Sequence, residues 1–265
     1  MKARKPKELL SSSGATILLY GPTGSGKSVL AGSLAEVRPT LFISTEKGGP
    51  VSIAQFDYEP DVIEVTSDQE LNQLIEWLGT EGKKQYGGAV IDTLSEYQMV
   101  LAEEILQAAI EENKRLGKVD RRTGQPFHSA DALELRDWQP VLVRMWRHIR
   151  QLQNLSEEMI IVCTAQTGES TDPRSPGEMI ASPALRGAWR DMIGAYFGIV
   201  AYITPITFSP NFRNRIYFQP SGNFLAKSRY ALPPYMDLPT MKVVLDKMGI
   251  GLQKEPKIEK EEQVK

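Results

Sequence analysis

The sequence predicts an α/β fold: a mainly parallel central sheet flanked by helices, with antiparallel strands at the C-terminal side. Three observations carry that expectation. Apolar runs of strand length alternate with helically spaced segments through the early part of the chain, the pattern of a parallel sheet covered on both faces. A glycine-rich turn separates the first apolar run from the first helical one. From Gly198 onwards the helices give way to strands joined by short turns, which pair antiparallel.

Residues 1–13 are a basic, polar lead-in expected to be mobile, and 14–250 are expected to form the folded core. Ala15 to Tyr20 reads as a buried strand. It runs into Gly21-Pro22-Thr23-Gly24-Ser25-Gly26-Lys27-Ser28, a full match to the phosphate-binding pattern G-x-x-x-x-G-K-[ST], and Val29 to Ala35 leads out with helical spacing. The glycines let successive amide N–H groups and a helix N-terminus face one anion. Lys27 then adds a point charge at the β- and γ-phosphates and the Ser28 hydroxyl is a ligand for Mg²⁺. Residues Gly21 to Val29 are therefore the expected binding set for a nucleoside triphosphate.

Thr40 to Thr45 is a second strand, followed at once by Glu46, and Val62 to Val65 a third. Asp68 is expected to cap a helix carrying Leu71, Leu74, Ile75 and Leu78. Gly87 and Gly88 precede the strand Ala89 to Thr93, which ends in Asp92. A long helical pattern from Leu94 to Leu116 stops at Gly117, and Lys118 to Ala130 reads as a loop. Asp137 begins another helix, Met159 to Thr164 is a strand ending at Gln166, and Thr167 to Pro183 reads as a second long loop. Leu185 to Phe197 is helical. Gly198 to Thr207, Arg215 to Gln219 and Phe224 to Lys227 read as strands, and Thr240 to Met248 as a closing helix. The tail from 251 to 265 is highly charged and expected to be disordered.

Composition narrows the classes. Of 265 residues 41% are apolar, enough for a sizeable core, yet no apolar run reaches the ~20 residues needed to span a bilayer. No membrane partner is expected. The N-terminus lacks the apolar stretch of a secretory signal, and the single cysteine, Cys163, cannot form an internal disulfide, so a cytoplasmic setting is expected. With a net charge of −2, any nucleic acid must be met by a local basic patch. His128 and His148 are too isolated to suggest metal ligands.

Asp92, at the end of an apolar strand, can reach Mg²⁺ opposite Ser28; it can equally cap the helix from Thr93-Leu94. Glu46 can orient and deprotonate a water attacking the γ-phosphate if its strand lies beside the Asp92 and phosphate-loop strands, and it can equally be a surface carboxylate. Gln166 can sense the γ-phosphate, or simply be a solvated strand end.

Phosphate loop, FISTE, AVIDT and IIVCTAQ, in that order, resemble the RecA-like P-loop NTPase core. Ala226-Lys227-Ser228-Arg229-Tyr230 resembles the Lys-x-Arg element of RadA and DnaB-type ATPases. The resemblance covers about residues 14–235, and the size is most like the small RecA-like ATPases of bacteriophages implicated in single-strand annealing and recombination. It implies an ATPase that uses ATP and Mg²⁺, with Lys27, Glu46, Asp92 and Gln166 in catalytic roles. It implies homo-oligomers, as rings or filaments, in which Lys227 and Arg229 reach a neighbouring subunit's nucleotide. It further implies single-stranded DNA as partner, a single-strand-binding protein as a possible associate, and the cytoplasm of a bacterial host if the chain is phage-encoded. The residues after Arg229 are Tyr-Ala-Leu-Pro-Pro where RadA usually has Phe-Gly.

In RecA-like proteins DNA is held by loops after the Asp-strand helix and after the Gln strand. By position these are Lys118 to Ala130, with Lys118, Arg121, Arg122 and Phe127, and Thr167 to Pro183, with Arg174; Arg186 and Arg190 follow on the next helix. Both loops serve equally well as subunit contacts. Arg144, Arg147 and Arg150 recur along one helix, a spacing that usually just solvates it. Two other readings remain: an AAA+-like helicase loader or motor, disfavoured because Thr93 stands where such a protein places a glutamate, and a non-hydrolysing, nucleotide-bound DNA-annealing scaffold.

Overall fold

The computed structural model describes residues 14–117, 137–172, 175, 177–208, 211–237 and 239–250. Lys118, Arg121, Arg122, Phe127, His128 and Arg174 lie outside them. Ten strands join in one sheet: β1 (Ala15–Gly21), β2 (Thr40–Ser44), β3 (Asp61–Glu64), β4 (Gly88–Asp92), β5 (Ile160–Thr171), β6 (Met179–Pro183), β7 (Ile199–Phe208), β8 (Asn211–Tyr217), β9 (Lys227–Ser228) and β10 (Tyr235–Asp237). The order along the main sheet is β10-β8-β7-β1-β5-β4-β2-β3. From β7 to β3 neighbouring strands run parallel; β8 pairs antiparallel with β7, β10 with β8 and β9 with β7. The expected α/β architecture is therefore the observed one.

The central strands are apolar on both faces because both faces are covered. Leu18, Tyr20, Leu41, Ile43, Ile91 and Cys163 point into one layer, where they meet α2 (Asp68–Gly79), α3 (Leu94–Arg115), α4 (Trp138–Leu155) and α5 (Trp189–Tyr196). Ile17, Leu19, Phe42, Val90 and Val162 alternate into the other layer, against α1 (Lys27–Gly32) and α6 (Met241–Met248). Each such side chain removed from water contributes about 1.5–3 kcal/mol. No helix among the described residues is long and apolar enough to cross a membrane.

Several expected boundaries move, each for a local reason. β5 does not stop at Gln166. It continues to Thr171 and pairs antiparallel with β6, Thr167 facing Pro183 and Thr171 facing Met179, so both flanks of the expected loop are strands of a β-ribbon. Asp172 and Gly177, the latter with φ of 101°, lie between the two strands, while the Thr and Ser residues on either side pair in them. Ser67, not Asp68, caps α2: it is extended, its oxygen accepts from Glu70 N at 3.2 Å, and Glu70 reaches back to Thr66 N at 2.8 Å. α5 begins at Trp189 because Gly187, with φ of 65°, turns the chain before any helix can propagate. The strand expected over Arg215 to Gln219 starts earlier, at Asn211, and Phe224 to Lys227 shrinks to a bridge at Phe224 and the two residues of β9.

Candidate nucleotide-binding site

The loop between β1 and α1 closes with left-handed backbone at Gly24 (φ 78°) and Gly26 (φ 85°), which side chains rarely tolerate. A Cβ built on Gly24 meets nothing within 4 Å, so that side of the loop is open to a ligand. Lys27 is buried, and its Nζ donates to the loop's own carbonyls, Gly21 O and Pro22 O, each at 2.9 Å. Burial holds the Lys27 amine below its usual pKa, a shift partly offset by the negative charges of Asp92 and Glu46. The Ser25 hydroxyl is buried and has no hydrogen-bond partner among the described residues.

Register carries the remaining residues to the same edge. Gly21 lies opposite Gln166 across β1 and β5, and Ser44 opposite Asp92 across β2 and β4. Asp92 is fully buried. Its Oδ2 accepts from Ser28 Oγ at 2.9 Å and its Oδ1 from Thr164 Oγ1, which is a short contact. Burial raises the Asp92 pKa, while the Thr164 and Ser28 hydroxyls and then Lys27 pull it down. Thr93 takes the capping role, accepting from Glu96 N at 3.1 Å, and so leaves the Asp92 carboxylate to Ser28.

Glu46 is exposed on the loop after β2. Its carbonyl accepts from Ser44 Oγ at 2.8 Å and Gly49 N at 3.2 Å, which pins the turn. A Cβ built on Gly49 stands 3.3 Å from Ser44 Oγ, 3.5 Å from Asp92 Oδ2 and 3.8 Å from Glu46 Cβ, so the turn that carries Glu46 packs close to the Asp92 carboxylate. Strand β2 is beside β4 as expected, but not beside β1; β5 and β4 stand between them. Glu46 therefore approaches from the Asp92 side. Gln166 Oε1 accepts from Thr23 Oγ1 at 3.4 Å, and its N–H donates to Ser95 Oγ at 3.0 Å.

Lys227 and Arg229 behave differently. Lys227 pairs with Val200 across β9 and β7, is half-buried, and has its pKa lowered by burial and by Arg229. Arg229 is exposed and donates to Ala195 O at 3.2 Å. Neither is bonded to its own phosphate loop among the described residues. Of the three arginines on α4, Arg144 leaves the others: it pairs with Asp68 at 3.2 Å and Glu104 at 3.8 Å, whereas Arg147 and Arg150 stay exposed. Spacing of three swings each residue about 60° round a 3.6-residue helix, so the ends of the series face differently.

Several residues with structural leverage carry no sequence signal. Thr164 and Thr45, which exchanges hydrogen bonds with Thr93, are ordinary strand residues by pattern. A cavity of about 470 Å³ opens beside the loop, lined among others by Ser25, Val29, Phe56, Tyr58, Asn214 and Thr240. Phe56 and Tyr58 stack at 5.5 Å with 6° between planes, and Asn214 Oδ1 has no hydrogen-bond partner among the described residues. These residues come from four separate segments, and only the folded chain joins them.

Tyr20, one residue before the loop, is a further case. Its hydroxyl proton is shared between Leu225 O at 2.6 Å and Ala181 O at 3.0 Å, tying β1 to the ribbon and to the segment before β9. Tyr20→Phe leaves those carbonyls short of a donor and is expected to cost about 1–3 kcal/mol, read from urea unfolding. A loss below about 0.5 kcal/mol would show that water replaces the bond.

A left-handed glycine loop at a strand's carboxyl end, a buried lysine and an opposed Ser–Asp pair are the parts of a P-loop nucleotide-binding site. The model of the AAA domain family matches residues 13–230, and the chain belongs to that family. Among solved structures, the RadB recombinase superposes with a TM-score of 0.50 at 12% identity, covering 87% of this chain and 90% of that one. FlaH, a flagellar accessory protein of Methanocaldococcus jannaschii, gives 0.43 at 15% identity, covering 80% and 81%. The KaiC-like protein PH0186 of Pyrococcus horikoshii OT3 gives 0.43 at 11%, covering 86% and 90%. No curated protein matches the chain. At these identities the likeness is one of fold.

Proposed function

We propose that this chain binds and hydrolyses ATP with Mg²⁺ and uses the cycle to control its hold on single-stranded DNA, in phage-type recombination, annealing or replication. The observation that carries the reading is convergence. The phosphate loop, Asp92, Glu46 and Gln166 come from separate strands and meet at one sheet edge.

The residues fit a hard divalent cation. Ser28 Oγ and the Asp92 carboxylate are oxygen donors 2.9 Å apart, and burial penalises the charged form of that carboxylate, which a cation would offset. Mg²⁺ held by Ser28 and Asp92 would supply neutralising charge to the phosphates. Lys27 exchanges its two carbonyl bonds for phosphate oxygens, and the Ser25 hydroxyl gains the acceptor it lacks. The nucleoside occupies the cavity beside Phe56 and Tyr58. Glu46, exposed on a turn fixed through its own carbonyl, orients and deprotonates the attacking water. Gln166 touches Thr23 on one side and continues into the ribbon on the other, so the phosphate state is transmitted along β5. Lys227 and Arg229, not engaged at their own loop, act on the nucleotide of the next subunit in a ring or filament.

Steady-state ATP hydrolysis with and without single-stranded DNA tests this. Hydrolysis stimulated by DNA and absent in Lys27→Ala is expected. Hydrolysis indifferent to DNA would favour a loader or motor acting on protein, and tight nucleotide binding without turnover would favour a scaffold.

A further inference from the structure

The face formed by α4 and α5 plays no part in the nucleotide site, and its chemistry is unusual for this chain. The protein as a whole has a net charge of −2, yet α4 contains no Asp or Glu between Trp138 and Leu155. Arg147, Arg150, Arg186 and Arg190 are all exposed on or beside these two helices. Asp191 is the single acidic residue on α5, and it sits 3.5 Å from Arg190 Nε. Between the helices lies an apolar notch of about 200 Å³ lined by Leu142, Val143, Trp146, Ala188, Trp189 and Met192. Val143, Trp146 and Met192 are 38%, 43% and 47% exposed. Large apolar side chains left together in water mark a binding surface.

The arginines and rings are already arranged with respect to one another. The Arg150 guanidinium lies over the Trp146 and Tyr196 rings, 5.5 Å from each centroid, and that of Arg186 lies 5.8 Å from the Trp138 ring. Trp138 to Arg150 spans about 18 Å along α4. The row ends at Arg229, bonded to Ala195 O near the C-terminus of α5.

We propose that this α4–α5 face is a stacking platform for single-stranded DNA, a proposal that rests on the DNA-binding reading above. Unpaired bases stack on Trp146 and the neighbouring Tyr196 and Trp138 rings, one edge entering the notch, while Arg147, Arg150 and Arg190 meet the phosphates. Stacking on aromatic rings with guanidinium support is how single strands are held without reading sequence. A duplex keeps its base faces covered and cannot use the notch. A second copy in a two-fold contact is a poorer occupant, because that symmetry would set Arg147, Arg150 and Arg190 against themselves.

Fluorescence anisotropy of a labelled oligo-dT, at about 50 mM salt and again at about 200 mM, tests the platform on the full chain, with nucleotide binding measured alongside. Trp146→Ala is expected to weaken DNA binding about tenfold or more, and Trp146→Phe to stay within about threefold of native. Arg147→Glu with Arg150→Glu is expected to weaken binding most at low salt. Nucleotide binding is unchanged in all of them. Photocrosslinking to oligonucleotides bearing 5-iodouracil is expected to mark Trp146 or Tyr196. If native protein binds DNA and the variants bind equally well, or crosslinks map only elsewhere, the platform is refuted and the DNA-dependent ATPase reading stands. If native protein binds no single-stranded DNA at low salt, both fail. If Trp146→Ala changes the sedimentation coefficient but not DNA binding, the face is a contact between copies and the proposal is overturned.

Discussion

Glu46→Gln is expected to lower the ATP turnover number by about 10²–10⁴-fold, the usual contribution of a positioned general base. Nucleotide affinity is expected to stay within about threefold of native, because the bonds fixing the turn come from the Glu46 backbone: its carbonyl accepts from Ser44 Oγ and Gly49 N. Glutamine keeps the length and hydrogen-bonding reach of the side chain and loses only the ability to take a proton. The variant should therefore trap a bound but unhydrolysed nucleotide, measured as retained binding of a fluorescent ATP analogue with no phosphate release. Turnover within threefold of native would remove Glu46 from the mechanism and return it to the role of a surface carboxylate. Equal loss of binding and turnover would instead assign it to holding the loop. Gly49 gives an internal comparison. A Cβ there stands 3.3 Å from Ser44 Oγ, which holds the Glu46 carbonyl, so Gly49→Val is expected to disturb the turn and impair turnover with Glu46 intact.

What was legible in the sequence was legible because local rules and the global fold agree. Gly24 and Gly26 must be glycine for backbone reasons, and Lys27 and Ser28 follow at fixed offsets, so the loop announces itself. The strands β1, β2, β4 and the first half of β5 are continuous apolar runs because the sheet is covered on both faces. Contacts built from unremarkable residues were not legible. Thr164 supplies Asp92 with its second hydroxyl, and Tyr20 fastens the ribbon to the loop strand, but a threonine or tyrosine in a strand looks the same whether or not it does so. The ribbon itself was hidden by composition. The stretch is rich in Gly, Pro and Asp, a loop signal that extends over residues pairing as strands, Gly168 and Pro183 among them. The intervening position of β5 between β1 and β4 was also beyond local pattern, since strand order is decided by which faces the crossovers cover.

Asp92→Asn tests the other half of the acidic pair, and it separates function from stability. Loss of one oxygen ligand and one negative charge opposite Ser28 is expected to reduce Mg²⁺-dependent turnover by about 10²–10³-fold, since charge stabilisation of this kind contributes several kcal/mol. The nucleotide-free protein should nevertheless become more stable. Burial raises the Asp92 pKa in the fold, so the folded chain holds that proton more tightly than the unfolded one. Stability therefore falls as pH rises from the ordinary carboxylate value through the raised one, and above that window the folded protein carries the full cost of a buried charge. Asparagine has no charge to desolvate and can still accept from one hydroxyl and donate to the other. Without Mg²⁺ or nucleotide, the melting temperature of Asp92→Asn should exceed the native one by about 2–4 °C for each kcal/mol recovered. The gain should be largest above the window and vanish at acid pH, where the native carboxyl is already protonated. Mg²⁺ with ATP should raise the native melting temperature more than that of the variant, because ligands stabilise the form that binds them. A variant less stable than native at every pH would mean that the Ser28 and Thr164 bonds outweigh desolvation, and that Asp92 is held there as a structural cross-link between β4, β5 and the phosphate loop.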